Sequence, residues 1–436
     1  MKAFRASILH CHHDPGESTD PAATEFIQDG LLVVADGRVR QLGEARELLP
    51  RLDPGVPVES HPGKWLVPGF VDTHIHYVQT DIIAAYGDQL LAWLEHYAFP
   101  AEQAFSDPGH CAEVAEFFVA ELLRHGTTTA LVMGSVHPQS VEALFLEAAR
   151  YRLRLIAGKV LMDRHCPAAL QDTADTGYRD SKALIERWHG RDRLLYAVTP
   201  RFAPTSSEAQ LARAGALLRE HPDLYLHTHL AENREELAWV ASLFPDDHSY
   251  LGVYQRFGLV RERAVFAHAI HLDGPERARL AGGGAAVAHC PTCNFFIGSG
   301  LFDLRATLGA GVRVGMGTDV GGGTTFSVPR TLAAAYEMAQ LQGYSLTPQR
   351  AFYLATLGGA RALYLDGRIG NLLPGKEADF LLLDPAATPL LARRCRGRDW
   401  REVLFALLIL GDERVVSATH VLGEAVYRRD EHLLHD

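Results

Sequence analysis

An excess of positive charge is absent from this sequence: 42 lysine and arginine residues stand against 53 acidic residues, and the formal net charge is −11. Nucleic-acid surfaces and anionic membrane surfaces are bound through basic patches, so this balance argues against both kinds of partner. Long apolar runs are absent as well. The unbroken run Val403–Leu410 falls well short of the roughly 18–20 residues that span a bilayer. The N-terminus lacks the sustained apolar stretch and cleavage site of a secretory signal.

Cysteine is scarce, with six residues in a chain of 436. Scattered cysteines in a chain of this length do not form a disulfide framework, so we predict reduced thiols in a cytoplasmic enzyme. The hydrophobic fraction of 47% and the charged fraction of 22% are those of an ordinary globular protein. The length fits a barrel of about 250–300 residues together with a companion domain.

From Trp65 onward, short β-branched apolar runs alternate with longer helical stretches, which is typical of parallel βα units. The helix after the fourth run is predicted to begin with a capping box of Thr205 and Glu208 and to end before Pro222. Eight such units predict an α/β fold with a closed (β/α)8 barrel over residues 65–365. The predicted strands are Leu66–His76, Thr127–Gly134, Leu153–Leu161, Leu194–Arg201, Leu224–Leu230, Ala264–His268, Ala285–His289 and Val312–Asp319.

The two flanks of the barrel, residues 1–64 and 366–436, contain further strand-like segments. Each flank is too small to form a stable sandwich alone, so we predict that together they form one small β-sandwich domain with the barrel inserted between them. The segments are Leu31–Val34, Val39–Leu42, Phe380–Leu383 and Val415–Val421.

Two histidines, His74 and His76, end the first predicted strand. Side chains two residues apart on a strand share a face, and active sites of such barrels lie at the carboxyl ends of the strands. With Asp72 before them, these imidazoles are half of a candidate zinc site. An isolated H-x-H is often incidental, and the alternative is a polar strand end without a ligand.

A third imidazole, that of His229, lies at the end of the fifth predicted strand, and Glu232 follows three residues later. A glutamate at this place is close to a metal without binding it, as a general acid or base should be. The alternative is that Ala231–Glu236 is only an acidic helix start, which interacts favourably with the helix dipole.

Two later predicted strands also end in a residue that could bind a metal or transfer a proton. His268 ends the sixth strand, and Asp319 ends the eighth. Asp319 can ligate zinc and accept a proton from bound water, or it can belong to a turn with Gly321–Gly323. We predict that His268 supports the bound water by hydrogen bonding, with direct ligation as the alternative. Zinc held by histidines and a carboxylate with an open position lowers the pKa of water to about 7, so the combination predicts hydrolysis.

Several segments resemble the amidohydrolase superfamily, and over roughly residues 60–385 the resemblance narrows to its guanine deaminase family. The segments are PGFVDTHIHYVQ, YAFPAE, TPRF, HTHLAENREE, AHAIHL, AHCPTCN, GMGTDVGGG, LATLGGARAL and NLLPGKEADFLLLD. The resemblance implies zinc-dependent deamination of guanine to xanthine and ammonia in purine catabolism, by a homodimer.

Residue by residue, the resemblance implies one zinc ion held by His74, His76, His229 and Asp319, with iron as an alternative metal. It implies that Glu232 moves protons and that His268 supports the hydroxide. It also implies substrate-binding roles for five residues, namely Gln79, Arg201, Phe202, His229 and Glu232. Arginine and glutamine supply donors and acceptors for a purine edge, and an aromatic ring supplies a face. Trp93 is either a pocket wall or a core residue.

Some features of the sequence differ from the family pattern, and others are not explained by it. Gly321 stands where a small alanine is expected, and Cys293 stands where a serine is common, which creates a C-x-x-C with Cys290. Since no second pair completes a metal site, we interpret this pair as structural. The cluster His10–His13 precedes Asp-Pro-Gly and is predicted to be an exposed loop.

Two other functions stay open at this point. A sibling amidohydrolase could act on another purine, on a pyrimidine or on a triazine ring, by deamination or dechlorination. A barrel without catalytic activity could act as a scaffold, although such a protein would be expected to have lost metal ligands.

Overall fold

The structure of the chain is a computed structural model, and it describes residues 1–87, 89–429 and 432–433. Its strands fall into two sheets. They are β1 Lys2–Cys11, β2 Thr24–Ala35, β3 Arg38–Glu44, β4 Val58–Pro68, β5 Phe70–His76, β6 Thr127–Met133, β7 Arg154–Gly158, β8 Val160–Leu161, β9 Leu194–Pro200, β10 Tyr225–Leu230, β11 Ala264–His268, β12 Ala286–His289, β13 Arg313–Met316, β14 Phe380–Leu383, β15 Val416–Val421, β16 Glu424–Arg428 and β17 His432–Leu433.

Helices connect and cover the strands. The α-helices are α1 Ala45–Leu48, α2 Leu90–Trp93, α3 Phe99–Gln103, α4 Pro108–Arg124, α5 Pro138–Arg150, α6 Ala174–Trp188, α7 Glu208–Glu220, α8 Arg234–Leu243, α9 Tyr250–Arg256, α10 Gly274–Gly282, α11 Pro291–Phe296, α12 Leu304–Gly309, α13 Val328–Leu341, α14 Pro348–Tyr353, α15 Gly359–Ala362, α16 Pro389–Cys395 and α17 Trp400–Leu410. Short 3-10 turns cover Pro21–Ala23, Leu49–Arg51, Tyr77–Ile82, Ala104–Ser106, Ala168–Leu170, Ala203–Thr205 and Glu413–Val415, and π turns cover Leu94–Ala98 and Leu354–Gly358. In the part of the chain described here, no helix combines the length and the apolar character that crossing a membrane requires.

The larger sheet is the predicted barrel. Its parallel strands follow the order β5-β6-β7-β9-β10-β11-β12-β13, and β8 pairs with β9. The first and last strands approach each other beyond β13, where the His76 N–H donates to the Val320 carbonyl (2.9 Å) and the Asp319 N–H donates to the His74 carbonyl (3.0 Å). The closed barrel therefore brings the carboxyl ends of all these strands to one rim, which confirms the predicted fold.

The second sheet is built from both flanks, as predicted, in the order β17-β16-β15-β14-β4-β1-β2-β3. It is mixed, because β1 runs parallel to β4 while the other pairs are antiparallel. The sheet curls over a core of its own. The β2–β3 hairpin contacts the segment that precedes β14. There the Ala378 N–H donates to the Gly37 carbonyl (2.9 Å), and the Val39 N–H donates to the Lys376 carbonyl (2.9 Å).

Three local predictions are wrong. The segment Leu66–His76 is two strands in different sheets: Gly69 separates β4 from β5, and a Cβ at Gly69 would lie only 2.0 Å from the Thr128 hydroxyl oxygen. Helix α7 is capped by Ser207, whose side chain accepts from the Gln210 N–H, and not by Thr205, whose hydroxyl donates to the Phe202 carbonyl. The third error concerns part of the N-terminal cluster: His10 and Cys11 are buried at the end of β1, whereas His12 and His13 follow the strand and are exposed, as predicted.

Candidate active site

Four of the predicted residues meet at the rim of the barrel, although they come from three separate parts of the chain. The Nε2 atoms of His74 and His76, on β5, lie 3.1 and 3.5 Å from Oδ1 of Asp319, which follows β13. The Nε2 atom of His76 also lies 3.2 Å from Nε2 of His229, on β10. A tetrahedral zinc ion with bonds near 2.0 Å separates its ligands by about 3.3 Å, so these spacings fit one ion.

Two of the three imidazoles, those of His229 and His74, have a hydrogen-bond partner at their other ring nitrogen, whereas Nδ1 of His76 has none among the described residues. The Nδ1 of His229 lies 2.7 Å from the Arg201 carbonyl oxygen and donates to it, which leaves the Nε2 lone pair free for the cluster. The Nδ1 of His74 lies 2.6 Å from Nε2 of His227. The Nε2 of His74 is buried and has no hydrogen-bond partner among the described residues. Buried polar atoms in proteins normally have a partner. A buried nitrogen that lacks a hydrogen bond and faces a carboxylate and other imidazoles is therefore consistent with a metal ligand.

Two acid–base groups lie beside this cluster. The Nε2 of His268 is 3.3 Å from Oε2 of Glu232 and 3.6 Å from Oδ2 of Asp319, while its Nδ1 is 3.0 Å from the Asn294 side-chain oxygen. Burial raises the pKa of Glu232 to about 7, against the opposing effect of His268. Burial by itself lowers the pKa of His268, but the carboxylates of Glu232 and Asp319 outweigh it, and the net shift is upward. Proton transfer near neutral pH is therefore available to this pair.

Glu232 and the acidic start of helix α8 are structurally distinct, which bears on the alternative that Glu232 only begins a helix. The carboxylate of Glu236 accepts from the N–H groups of Glu232 (2.8 Å) and Asn233 (3.1 Å) and completes a capping box with Asn233. Glu232 itself precedes the helix, and its Oε1 accepts from the Ser299 hydroxyl (3.0 Å). Glu236 is therefore the acidic residue that caps the start of the helix. The Glu232 carboxylate instead faces His268.

Several strand ends at the rim have strained backbones. Ala231, His268 and Asp319 have φ values of 48°, 66° and 55°, in the left-handed region that side chains other than glycine rarely adopt. Each such residue costs about 1–3 kcal/mol and persists where the surrounding structure determines it, commonly at functional sites. The strained positions therefore lie at, or directly beside, residues of the candidate site.

The predicted substrate-binding residues Gln79, Arg201 and Phe202 line the same cavity. Arg201 Nη1 donates to both carboxylate oxygens of Glu102 (2.6 and 2.7 Å), and Gln79 Nε2 donates to Glu102 Oε1 (2.9 Å). Glu102 is fully buried on helix α3. Gln79 Oε1 in turn accepts from the Gly321 N–H (3.2 Å). Arg201 and Gln79 are therefore held in fixed orientations by one buried carboxylate.

These groups line one cavity, whose volume is about 390 Å³ when its open mouth is included. Phe202 and Trp93 contribute aromatic walls, so Trp93 belongs to the pocket as well as to the core. All of the predicted site residues except His74 line it; the lining consists of His76, Gln79, Leu90, Trp93, Leu94, Arg201, Phe202, His229, Glu232, His268, Cys293, Ile297, Asp319 and Gly322.

The sequence analysis missed three supporting residues. Glu102 lies inside the YAFPAE segment, but its partner Arg201 is 99 positions away, and nothing local indicates the pairing. Ser299 is likewise remote from Glu232 in sequence. His227 did carry a signal: His227-Thr228-His229 is a second H-x-H on a barrel strand, with the same spacing as His74 and His76.

The two cysteines of the C-x-x-C are free thiols. Cys293 lines the cavity with its Sγ 3.9 Å from Glu232 Oε1, and the Cys290 thiol donates to the Ala288 carbonyl (3.5 Å). Burial raises the pKa of both thiols well above the ordinary value. They are therefore protonated at neutral pH in this environment.

Comparison with known proteins agrees with this geometry. The model of the amidohydrolase family matches residues 65–426. The guanine deaminase of Escherichia coli (strain K12) is 50% identical over 432 residues, covering 99% of this chain and 98% of the relative. A probable guanine deaminase of Deinococcus radiodurans is 43% identical over 99% of each chain. The solved structure of E. coli guanine deaminase superposes with a TM-score of 0.97 over 98% of this chain and 100% of that one. The chain therefore belongs to the amidohydrolase family and, within it, to the guanine deaminases.

Proposed function

We propose that this protein hydrolyses guanine to xanthine and ammonia, as an enzyme of purine catabolism. The observation that carries the proposal is one cavity in which a cluster of three imidazoles and a carboxylate faces a Glu–His pair and the fixed donors of an arginine and a glutamine. The identity to curated guanine deaminases over the whole chain supports the choice of substrate.

The metal ligands in this proposal are His74, His76, His229 and Asp319, holding one zinc ion, and the same donors would also accept iron. The donor spacings of 3.1–3.5 Å and the unpartnered Nε2 of His74 support this set. Zinc in such a site supplies an activated water at neutral pH.

The chain's own residues move the protons. Glu232 donates a proton to the ring nitrogen N3, next to the carbon C2 that the water attacks. Its pKa of about 7, raised by burial, keeps a sufficient fraction of the carboxyl protonated at neutral pH. Asp319 accepts one proton of the attacking water and passes it to the leaving amine. As ammonia leaves, the hydroxyl on C2 becomes the carbonyl of xanthine, and its proton returns to Glu232. The Nε2 of His268 lies 3.3 Å from Oε2 of Glu232 and 3.6 Å from Oδ2 of Asp319, where it holds the water on the attacked face.

Recognition of the purine falls to the residues opposite the metal cluster. Arg201 uses one nitrogen on Glu102, and no described residue accepts from its Nε or Nη2, so these donors serve a purine carbonyl and ring nitrogen. Gln79 reads the polar edge of the base. Phe202 and Trp93 supply faces for the ring.

The direct test is an assay of the purified protein with guanine, in which xanthine and ammonia are followed together. Equal rates of the two products would support the proposal. A panel of adenine, 8-oxoguanine, cytosine and a triazine separates guanine from related rings, and a higher kcat/KM on one of these would overturn the substrate assignment. A protein without activity and without bound metal would point to a scaffold.

We also propose that the enzyme is cytoplasmic and homodimeric, and that residues 65–365 form the catalytic unit while residues 1–64 and 366–436 form the companion domain. Sedimentation of the purified protein tests the dimer.

A further inference from the structure

The second sheet carries a cluster of metal-ligand side chains that the proposed reaction does not use. His10 lies near the end of β1, and Glu25 on β2 is its direct cross-strand partner in the antiparallel register. His12 lies two residues further along, and its N–H donates to the Ala23 carbonyl (2.8 Å), which continues the ladder. Alternation along an extended chain places residues two apart on the same face. The backbone pairing therefore brings three donor side chains together.

The distances within this group match a coordination sphere. The Nε2 of His10 lies 3.1 Å from Glu25 Oε2, and the Nε2 of His12 lies 3.2 Å from the same oxygen. All three donor atoms lie within 4.8 Å of one another. The expected separation between ligands of a tetrahedral zinc ion is about 3.3 Å for bonds near 2.0 Å. Small side-chain rotations would place all three donors on one ion.

The surroundings favour a bound ion that is reached from solvent. The His10 imidazole is buried, while the side chains of His12 and Glu25 are 34% and 42% exposed. Glu25 is the only polar side-chain partner of either imidazole among the described residues. Two imidazoles and a carboxylate leave one tetrahedral position for water.

We propose that His10, His12 and Glu25 form a second metal site that binds a divalent transition-metal ion of the zinc class. Imidazole and carboxylate donors select such ions over calcium or magnesium. The site is in the second sheet and is independent of the cluster at the barrel rim, so it does not depend on the proposed deaminase activity. An ion here would join the end of β1 to the start of β2.

The test is the zinc stoichiometry of the full-length protein at pH 7.5, measured by equilibrium dialysis and elemental analysis. The variants are His12→Gln and Glu25→Gln, both at partly exposed positions where folding is least affected. The matched control is His13→Gln, because His13 is adjacent but pairs with Asp20 (2.9 Å) outside the cluster. Circular dichroism establishes that each protein is folded.

We expect wild type and His13→Gln to bind one equivalent more than His12→Gln and Glu25→Gln. This difference is the same whether or not the barrel cluster binds zinc, so the two proposals fail separately. Zinc should also raise the thermal midpoint of wild type more than that of Glu25→Gln. Equal stoichiometry in wild type and the two variants would overturn the site. Loss of the same equivalent in His13→Gln would overturn its assignment to these three residues.

Discussion

The Nδ1 atom of His74 lies 2.6 Å from the Nε2 atom of His227, and both imidazoles are buried. For His74 to present its Nε2 lone pair to the cluster, its Nδ1 must carry the hydrogen and donate it to His227. Metal-bound histidines usually donate to a carboxylate or a carbonyl; here another imidazole accepts. The Nδ1 of His227 has no hydrogen-bond partner among the described residues.

His227 should therefore determine metal affinity without touching the metal. We expect His227→Leu to weaken zinc binding by about 10–100-fold, because His74 loses the acceptor that selects its tautomer. His227→Gln keeps an acceptor near the Nε2 position and should restore most of the affinity. Competition with a chelator measures the Kd. The control is His221→Gln at the end of helix α7, and an unchanged Kd in His227→Leu would contradict this role.

Replacing Glu232 by glutamine should separate chemistry from metal binding. We expect Glu232→Gln to retain zinc and to lower kcat by about 10²–10⁴-fold, because the amide cannot donate a proton to the ring nitrogen. Glu235→Gln, an exposed change in the same segment, serves as the control. Metal analysis and steady-state kinetics are the two measurements. A Glu232→Gln enzyme with wild-type turnover would rule out Glu232 as the proton donor.

Glu102 should act through Arg201 and Gln79. Glu102→Gln removes the buried negative charge that fixes both side chains, and we expect mainly a rise in KM for guanine, by about tenfold or more. Arg201→Lys should behave similarly, since an ammonium cannot reproduce the planar fork of donors. The control is Glu113→Gln, an exposed residue on helix α4. If kcat alone fell and KM were unchanged, the positioning role would be wrong.

His420 should make the stability of the second sheet sensitive to acid. Its imidazole is buried in parallel contact with the Phe380 ring, at 4.3 Å between centroids, and burial lowers the pKa of His420 to about 3. The ordinary value of about 6.5 applies to the unfolded chain. The folded state thus prefers the neutral imidazole, so its contribution is complete above pH 6.5 and is lost as the pH falls towards 3.

Replacing His420 by phenylalanine removes this titration. We expect the thermal midpoint of His420→Phe to fall less steeply than that of wild type between pH 6.5 and 4, with up to about 1.4 kcal/mol of stability difference per pH unit. His221→Phe, at a partly exposed position, should follow the wild-type curve. Parallel curves for wild type and His420→Phe would contradict this prediction, because they would show that the imidazole takes up protons equally in the folded and unfolded states.

Local rules were enough for the eight-unit barrel pattern and for the first half of the site. Alternation along an extended chain places His74 and His76 on one face, and the repeated βα pattern predicts the barrel and the rim where strand ends collect. Candidate groups at the ends of other strands, such as His229 and Asp319, followed from the same rule. These features depend on residues within a few positions of one another or on a repeated unit, so they can be predicted from the sequence alone.

The tertiary structure alone decided which groups touch. Only barrel closure brings Asp319 within 3.1 Å of His74, and only packing brings Glu102 against Arg201. The division at Gly69 depends on the space that Thr128 occupies, and the pairing of Glu25 with His10 depends on a strand register. Contacts between residues tens to hundreds of positions apart are selected by the packing of the whole chain, which no local period or spacing encodes.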